Sequence, residues 1–433
     1  MSKQKNAGAA RQEEVLGGLT GAQGPVAVPR RWLVLVTALV TVPWLIAGAI
    51  YVSARVDPDA HEAPISARAG DVSIGAAGPW GRLAATPIVI SPPLEYVPRN
   101  WGPVEPTLWH VPADSPESLT SFLTDMGLAA DQIAALQATA RPHSTMGGAV
   151  VRPSPALVRG LPSPVRARLY NELAKSPLNV DQQTSYRFFG TSADAWLGPP
   201  ISQRTRELVE PLIYRQGDFM YFADIELVRA GIEDPAELQL LAKRLFRQST
   251  LLVSLSVEDL DSIPAIAEYW GRGGRRVDVK PILESVAGAG AARSIDISHL
   301  LPALAREHLY RYPKVTVADH EKPLLANCLW TALNFFAADP DDRLLDVEVA
   351  LERLKKDYYL VQDNFELGDI VAFSDRQGNI FHAGVYLADG LIFGKNGNSP
   401  LAPWSILPLE RLKGHYIEHS DGWQVTYHRN KAL

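Results

Sequence analysis

The spacing of hydrophobic positions changes along the chain. The run from Trp32 to Tyr51 (WLVLVTALVTVPWLIAGAIY) contains no charged residue, and a stretch rich in Ala, Gly and Pro follows it. From about Thr107, apolar residues recur at the three- and four-residue intervals of amphipathic helices. After Asp369 they alternate, which is typical of strands. The pattern predicts an α+β fold whose strands concentrate near the C-terminus.

The uncharged run is about twenty residues long, which is the length a helix needs to cross a hydrocarbon core of roughly 30 Å. Arg30 and Arg31 stand directly before it, and acidic residues outnumber basic ones just after it. By the positive-inside rule, we expect residues 1–31 to be a disordered cytoplasmic tail and residues 32–52 to be a transmembrane helix. The protein would then be a single-pass protein of the cell inner membrane, with the bulk of the chain extracytoplasmic.

A cleaved signal peptide is the alternative for this N-terminal segment. Val52-Ser53-Ala54 supplies small residues at which processing could occur. The apolar run is longer than a signal-peptide core and follows a long tail, so an uncleaved anchor is favoured. Beyond it, the composition of residues 53–103 predicts an extended linker.

Residues 104–314 are predicted to form a mostly helical region, with no motif that indicates its role. Ser115-Pro116-Glu117 has the composition of a helix start, with a capping residue, a proline at the first position and an acid in the first turn. One strand is expected over Thr250–Val257, and one helix over Asp296–Tyr310. Further amphipathic helices are predicted at Asp131–Ala138, Pro164–Ala174, Gln203–Tyr214, Pro235–Phe246 and Ser262–Trp270.

Cys328, the only cysteine in the sequence, stands where a helix is expected to begin. Asn327 before it is a favoured N-cap residue, and a stripe of Leu329, Ala332, Leu333 and Phe336 would bury one face of the helix. A thiol at that position lies beside backbone N–H groups and the positive end of the helix dipole, which favour a thiolate. Asp346–Tyr358 is predicted to form the next helix, with Val349, Leu351 and Leu354 inward.

The strands that follow bring a histidine into the same region. Alternation predicts strands over Asp369–Ser374 and Ile380–Leu387, and Asp389-Gly390 predicts a hairpin turn into Leu391–Gly394. On the second strand, Ile380, His382, Gly384 and Tyr386 are expected to share one face. If that face packs on the cysteine helix, His382 can reach Cys328, and Gly384 leaves room for the helix.

Composition narrows the chemistry. A single cysteine excludes an intrachain disulfide and a multi-cysteine metal site. A net charge of −6 and a pI near 6.0 give no electrostatic signature of nucleic-acid binding. His415 and His419 could share a helical face as metal ligands, but their surroundings alternate like strands, and we expect no metal and no cofactor. The basic run Arg272–Arg276 is either a contact for a polyanion or a solvated loop.

The order of these features resembles the NlpC-type cysteine peptidases, papain-like enzymes that cut peptidoglycan stem peptides. The resemblance lies in Cys328 at a helix start, then LGDIVAF, then His382 in HAGVYL, then the Asp-Gly hairpin. The CLW sequence at Cys328 also looks like the cysteine motif of the related CHAP amidases. The resemblance covers residues 315–433 and implies a papain-like domain, with the cysteine helix packed on an antiparallel sheet.

The resemblance also implies roles. Cys328 would be the nucleophile and His382 the base. The family's third residue would fall at Gly394, so Asn396, whose carbonyl can accept a hydrogen bond from the imidazole, is the predicted third member. Lys395 and Trp330 are the predicted substrate contacts.

The predicted function is cleavage of amide bonds in peptidoglycan or another cell-envelope peptide. A noncatalytic papain-like scaffold or binding protein and a thiol acyltransferase are the alternatives. An intact Cys328–His382 geometry in an accessible cleft would count against the scaffold. A wide apolar groove beside Cys328, which Trp330, Trp404 and Trp423 could line, would indicate the acyltransferase.

Overall fold

The structure is a computed structural model that describes residues 73–97, 101–143, 147–190, 192–257, 260–288, 293–314, 325–417 and 422–433. The tail and the membrane helix predicted for residues 1–52 lie outside these ranges. Within them, no helix has both the length and the apolar character that a membrane crossing requires. The predicted α+β class is confirmed, and the sheets are antiparallel.

Strands occur throughout the described chain. They are β1 (Ser73–Ile74), β2 (Arg82–Ile90), β3 (Trp109–Val111), β4 (Arg141–Pro142), β5 (Ala149–Val151), β6 (Tyr186–Phe189), β7 (Tyr214–Gln216), β8 (Phe219–Phe222), β9 (Gln248–Ser256), β10 (Ser294–Asp296), β11 (Tyr358–Val361), β12 (Ile370–Ser374), β13 (Ile380–Ala388), β14 (Leu391–Lys395), β15 (Trp404–Pro408) and β16 (Gln424–Asn430).

Most helices are short and lie between these strands. They are α1 (Pro116–Asp125), α2 (Ala130–Thr139), α3 (Pro155–Gly160), α4 (Ser163–Leu173), α5 (Val180–Gln183), α6 (Ala193–Leu197), α7 (Gln203–Val209), α8 (Ile225–Arg229), α9 (Pro235–Leu245), α10 (Ile263–Trp270), α11 (Arg276–Gly288), α12 (Ala303–His308), α13 (Cys328–Leu333), α14 (Val347–Asp357) and α15 (Leu409–Ile417).

The strands form four sheets. The largest has the order β11-β16-β12-β13-β14-β15 and contains the predicted histidine strand. A four-stranded sheet has the order β1-β2-β9-β10, and the residues between β2 and β9 add two three-stranded sheets, β3-β5-β4 and β6-β8-β7. The middle region therefore contains short strands as well as the helices predicted for it.

The segment expected to be a linker contributes a central strand. All nine residues of β2 pair with β9, from Arg82 opposite Ser256 to Ile90 opposite Gln248. Leu83 and Ala85 are fully buried against the apolar face of β9. The Ala, Gly and Pro content of this stretch predicted a linker, because it gave no sign of a strand whose partner lies about 160 residues further along the chain.

Proline explains a helix boundary that the periodicity missed. The helix expected over Asp296–Tyr310 is divided into a 3-10 turn, Ile297–His299, and α12, which begins after Pro302. Proline lacks the N–H that a continuous helix would need there. By contrast, the predicted start at Ser115 is confirmed: its hydroxyl accepts a hydrogen bond from the Ser118 N–H, and Pro116 is the first helical residue.

One hydrophobic core joins the four-stranded sheet to the cysteine helix. It contains Leu83, Leu255 and Trp270 together with Leu329, Phe335 and Phe393. Thr250 strengthens the junction: its hydroxyl donates to the Ile406 carbonyl and accepts from the Ile406 N–H, both at 3.0 Å. The six-stranded sheet is thus packed into the rest of the described chain through the side of β15.

Candidate active site around Cys328

Cys328 is the first residue of α13, as predicted. Asn327 has an extended backbone, and its Oδ1 accepts a hydrogen bond of 2.9 Å from the Trp330 N–H. The helix is only six residues long, shorter than its apolar stripe suggested, and it ends at Asn334, which accepts a 2.8 Å hydrogen bond from the Asp341 N–H. So short a helix supplies local N–H groups rather than an extended dipole.

The two candidate residues approach the sheet from opposite faces. Helix α13 packs on the face of β13 that carries Ala383, Val385 and Leu387. His382 lies on the other face, where its ring contacts Phe373 and Tyr416. This differs from the expectation that His382 and Gly384 face the cysteine helix. A Cβ on Gly384 would meet Ile392 at 2.5 Å, so this glycine makes room for a neighbouring strand.

A β-bulge separates Ile380 from His382, Gly384 and Tyr386, which still share one face. Ile380 pairs with Ser374, but His382 pairs with the adjacent Phe373, so one extra residue lies on β13. Because side chains alternate between faces, this insertion places Ile380 on the cysteine-helix side and His382 on the opposite side. Simple alternation across Ile380–Tyr386 could not reveal the insertion.

The Cys328 sulfur is surrounded by groups that stabilise an anion. Burial raises the pKa of the Cys328 thiol above its ordinary value. Backbone N–H groups of Ala383, Leu329 and Cys328 itself oppose that rise, and so does the positive charge of Lys395. Desolvation is the larger effect, and the thiol is neutral near pH 7 in this arrangement.

Lys395 lies on the same face of the sheet as Cys328. It is fully buried, and its Nζ donates to the carbonyls of Gly397 and Ser399 at 2.7 and 2.9 Å and lies 5.8 Å from the centre of the Trp404 ring. Burial lowers the pKa of Lys395 to about 8, while the charge of a Cys328 thiolate favours its protonated form. The ammonium group therefore anchors the turn after β14 and faces the sulfur from inside the core.

His382 is fully enclosed. Burial lowers its pKa to about 3. A 3.0 Å hydrogen bond joins its Nδ1 to the Tyr416 hydroxyl, and the two rings stack with centroids 4.3 Å apart. Its Nε2 is buried and has no hydrogen-bond partner among the described residues, so no hydrogen bond links it to Cys328 or to Asn396.

Tyr416 is the residue of this site that sequence reasoning missed. Burial raises the pKa of Tyr416, and the negative charge of a Cys328 thiolate would raise it further. The phenol therefore interacts with both candidate residues. The HYIEH stretch looked like a strand, but its first three residues belong to α15, which ends at Ile417. The signal available in the sequence was an aromatic residue beside His415.

The other predicted site residues are found elsewhere. Asn396 is half-buried and lines a cavity shared with the middle region. Trp330 is buried in the main core, and its Nε1 donates to Asp342 Oδ1 at 3.2 Å. Trp404 is buried too, and its Nε1 donates to the Thr331 hydroxyl. Cys328 does not line this cavity or the smaller one beside it.

The remaining charged motifs have internal partners. Arg272 pairs with Glu366, Arg275 donates to the Trp270 and Leu300 carbonyls, and Arg276 pairs with Glu268. Among the described residues, no cluster of three His, Cys, Asp or Glu side chains could hold a metal ion. His419 lies outside them.

No family model matches the chain, and neither the curated proteins nor the solved structures contain a significant match to it.

Proposed function

We propose that the chain is a membrane-anchored, extracytoplasmic cysteine hydrolase of the NlpC type, which cleaves amide bonds of peptidoglycan stem peptides through Cys328. The observation that carries the proposal is the set of groups around the sulfur. Three backbone N–H groups and a buried ammonium favour a negative charge there, and such a site can stabilise both a thiolate and the oxyanion of a tetrahedral intermediate.

The fold agrees with this proposal in its main arrangement. A helix beginning at the cysteine packs on an antiparallel sheet, and the next strands carry the histidine and the Asp-Gly hairpin. These elements support the papain-like arrangement that the sequence resemblance implies. Cys328 also lies against the backbone of Ala383, which directly follows His382.

In the proposed reaction, the sulfur attacks the amide carbonyl while His382 Nε2 takes the thiol proton. The C–N bond then breaks, and the imidazolium returns that proton to the leaving amine, which leaves a thioester on Cys328. Water hydrolyses the thioester to a carboxylate and restores the thiol. Tyr416, rather than Asn396, holds the imidazole through Nδ1. Because no hydrogen bond joins Nε2 to the sulfur in the resting chain, substrate binding must bring the two together.

A noncatalytic envelope-binding protein is the second candidate. It is favoured by the burial of the imidazole, by the approach of Cys328 and His382 to the sheet from opposite faces, and by the absence of Cys328 from the lining of two cavities of the described chain. A thiol acyltransferase has less support, because Trp330 and Trp404 are buried in the core instead of lining a groove.

The test is cleavage of purified peptidoglycan fragments by the full chain, with new amine termini counted by mass spectrometry. Cys328→Ser and His382→Gln are the diagnostic variants, and Arg276→Gln on the surface is the matched control. Loss of a general base typically lowers a rate by about 10²–10⁴-fold. We expect both variants to lose cleavage and the control to retain it.

Alkylation of the sole cysteine by iodoacetamide adds an independent readout. When the alkylation rate is plotted against pH, its midpoint in the free protein should lie above the ordinary thiol pKa of about 8.5. It should shift when a fragment binds, because the substrate must bring the imidazole to the sulfur. Fragments that bind without being cleaved, together with unchanged alkylation, would refute the hydrolase and leave the binding protein.

A further inference from the structure

A cavity of about 280 Å³ lies between the middle region and the edge of the six-stranded sheet. One wall comes from the middle region, and the other comes from Asn396, Leu407, Arg411 and His415. The residues of the first wall are 183–187, Phe189, Phe219, Leu245, Phe246, Gln248 and Ser249. A smaller hollow of about 100 Å³ shares Gln248, Ser249, Asn396, Leu407 and His415 with it and extends towards Ser405.

The lining of this cavity in the described chain contains positively charged side chains but no negatively charged ones. Arg187 and Arg411 contribute guanidinium groups, and amides and hydroxyls supply most of the other polar atoms. None of the described residues that line it is an aspartate or a glutamate. The carboxylate of Asp218, which is exposed and outside the lining, acts on Arg411 through its charge. The arrangement favours a ligand that brings its own negative charge.

Arg187 is held in place with donor capacity to spare. Its Nη1 donates to the His415 carbonyl, and its guanidinium carbon lies 5.2 Å from the centre of the Tyr221 ring. Its Nε is buried and has no hydrogen-bond acceptor among the described residues. A buried N–H of this kind is costly unless a ligand or solvent satisfies it.

Arg411 is fixed by stacking. Its guanidinium carbon lies 3.4 Å from the centre of the Phe189 ring, and only 8% of the residue is exposed. Burial lowers the pKa of Arg411 to about 10, which shows how strongly the cation is removed from water. A stacked guanidinium keeps its N–H groups at its edge, in the plane in which a carboxylate binds.

The apolar side chains of the lining indicate what the uncharged part of the ligand is. Phe189, Phe219 and Leu407 form an apolar wall beside the two arginines. A free inorganic anion would leave this wall bare, whereas an organic acid would cover it. The two adjoining hollows are large enough for an amino-acid residue and part of the next.

From these observations we infer that the cavity is a binding site for the carboxylate of a small organic acid of acylamino-acid or short-peptide type. Arg187 and Arg411 bind the carboxylate, and the aromatic wall receives the organic part. The site is independent of the chemistry proposed for Cys328, since none of these contacts involves the thiol.

The experiment is calorimetric titration of the full chain with N-acetylglycine, with the uncharged N-acetylglycinamide and with inorganic phosphate. Arg187→Gln removes one guanidinium, and Thr184→Trp narrows the exposed rim of the cavity while leaving both arginines in place. Arg276→Gln, on the surface, is the matched control for loss of a positive charge. Thermal unfolding of each variant establishes that it is folded.

We expect N-acetylglycine to bind at least about tenfold more tightly than its amide, because charge-assisted hydrogen bonds to the guanidinium groups need the carboxylate. Arg187→Gln and Thr184→Trp should each weaken binding about tenfold, and Arg276→Gln should not. If Arg187→Gln does not fold, the acid–amide comparison and Thr184→Trp decide.

Equal affinity for acid and amide, or no saturable binding to the wild-type chain, would overturn the inference. Phosphate that binds more tightly than N-acetylglycine would overturn the assignment to an organic acid. Because the readout is binding, a catalytically inactive chain that binds the acid would refute the hydrolase and leave this site intact.

Discussion

Lys395, buried beside Cys328, should make stability depend on pH in a defined direction. Burial lowers its pKa from 10.5 to about 8 in the folded chain. Between these values the unfolded chain binds more protons than the folded one, so the free energy of unfolding rises with pH. Below pH 8 the lysine is charged in both states, and the folded state bears the full penalty of its burial.

The size of the effect follows from the two pKa values. Raising the pH from about 7.5 to about 9.5 should increase the free energy of unfolding by about 2 kcal/mol through Lys395 alone. Lys395→Met keeps the length of the side chain but has no proton to exchange. The free energy of unfolding of the wild-type chain minus that of this variant should therefore increase by about 2 kcal/mol over the same interval.

Urea unfolding followed by tryptophan fluorescence provides the assay, because Trp404 lies in contact with the Lys395 ammonium. Only the change in the difference between the two chains is interpreted. Because Cys328 is coupled to Lys395, both chains carry Cys328→Ser, so that the remaining titrating groups contribute equally to both. The hydrogen bonds lost with Lys395 do not depend on this pH interval. Lys280→Met is the control: Lys280 is about half exposed, and its loss should have the same effect at both pH values.

A stability difference that stays constant within about 0.5 kcal/mol would refute the reasoning. It would mean that water reaches the ammonium group, and that Lys395 is not a desolvated cation facing the sulfur. A growing difference would establish the buried charge on which the environment of Cys328 partly depends.

Three further results are expected. Burial lowers the pKa of His382 to about 3, so below pH 6.5 the unfolded chain takes up a proton that the folded chain does not, and the wild-type chain should lose about 1.4 kcal/mol of stability per pH unit. His382→Gln should not show this loss, and acid titration followed by circular dichroism measures the difference. Asn327→Ala should destabilise the chain by about 1 kcal/mol in urea unfolding, because the Trp330 N–H loses its cap. Tyr416→Phe should destabilise it by about 1–3 kcal/mol by leaving His382 Nδ1 buried without a partner, and equal stability of the two chains would contradict the hydrogen bond.

Local signals in the sequence were enough to predict many of the elements that carry the site. Asn327 indicated the start of the cysteine helix through its capping side chain, and Asp389-Gly390 indicated the hairpin. Both turn residues have the positive φ angles, 48° and 72°, that such a turn requires. Each of these features depends on residues only a few positions apart.

Features that depend on distant pairing were not predictable in the same way. The strand β2 has the composition of a linker, and only its pairing with β9 makes it a strand. In α14, Val349 was expected to face inward but is 41% exposed, whereas Ala350 and Leu354 are fully or almost fully buried. Both Val349 and Ala350 are apolar, and the position of the sheet decides which of them is buried.

The face of β13 that carries His382 has the largest consequence for the site. Ala383, Val385 and Leu387 face the cysteine helix, and regular alternation from them puts His382 on the side of Tyr416. Cys328 is consequently left with Lys395 and backbone N–H groups on its own side, while His382 is held behind the sheet edge. The catalysis proposed for Cys328 would therefore require a rearrangement at this end of β13, and the response of Cys328 alkylation to bound peptide measures whether it occurs.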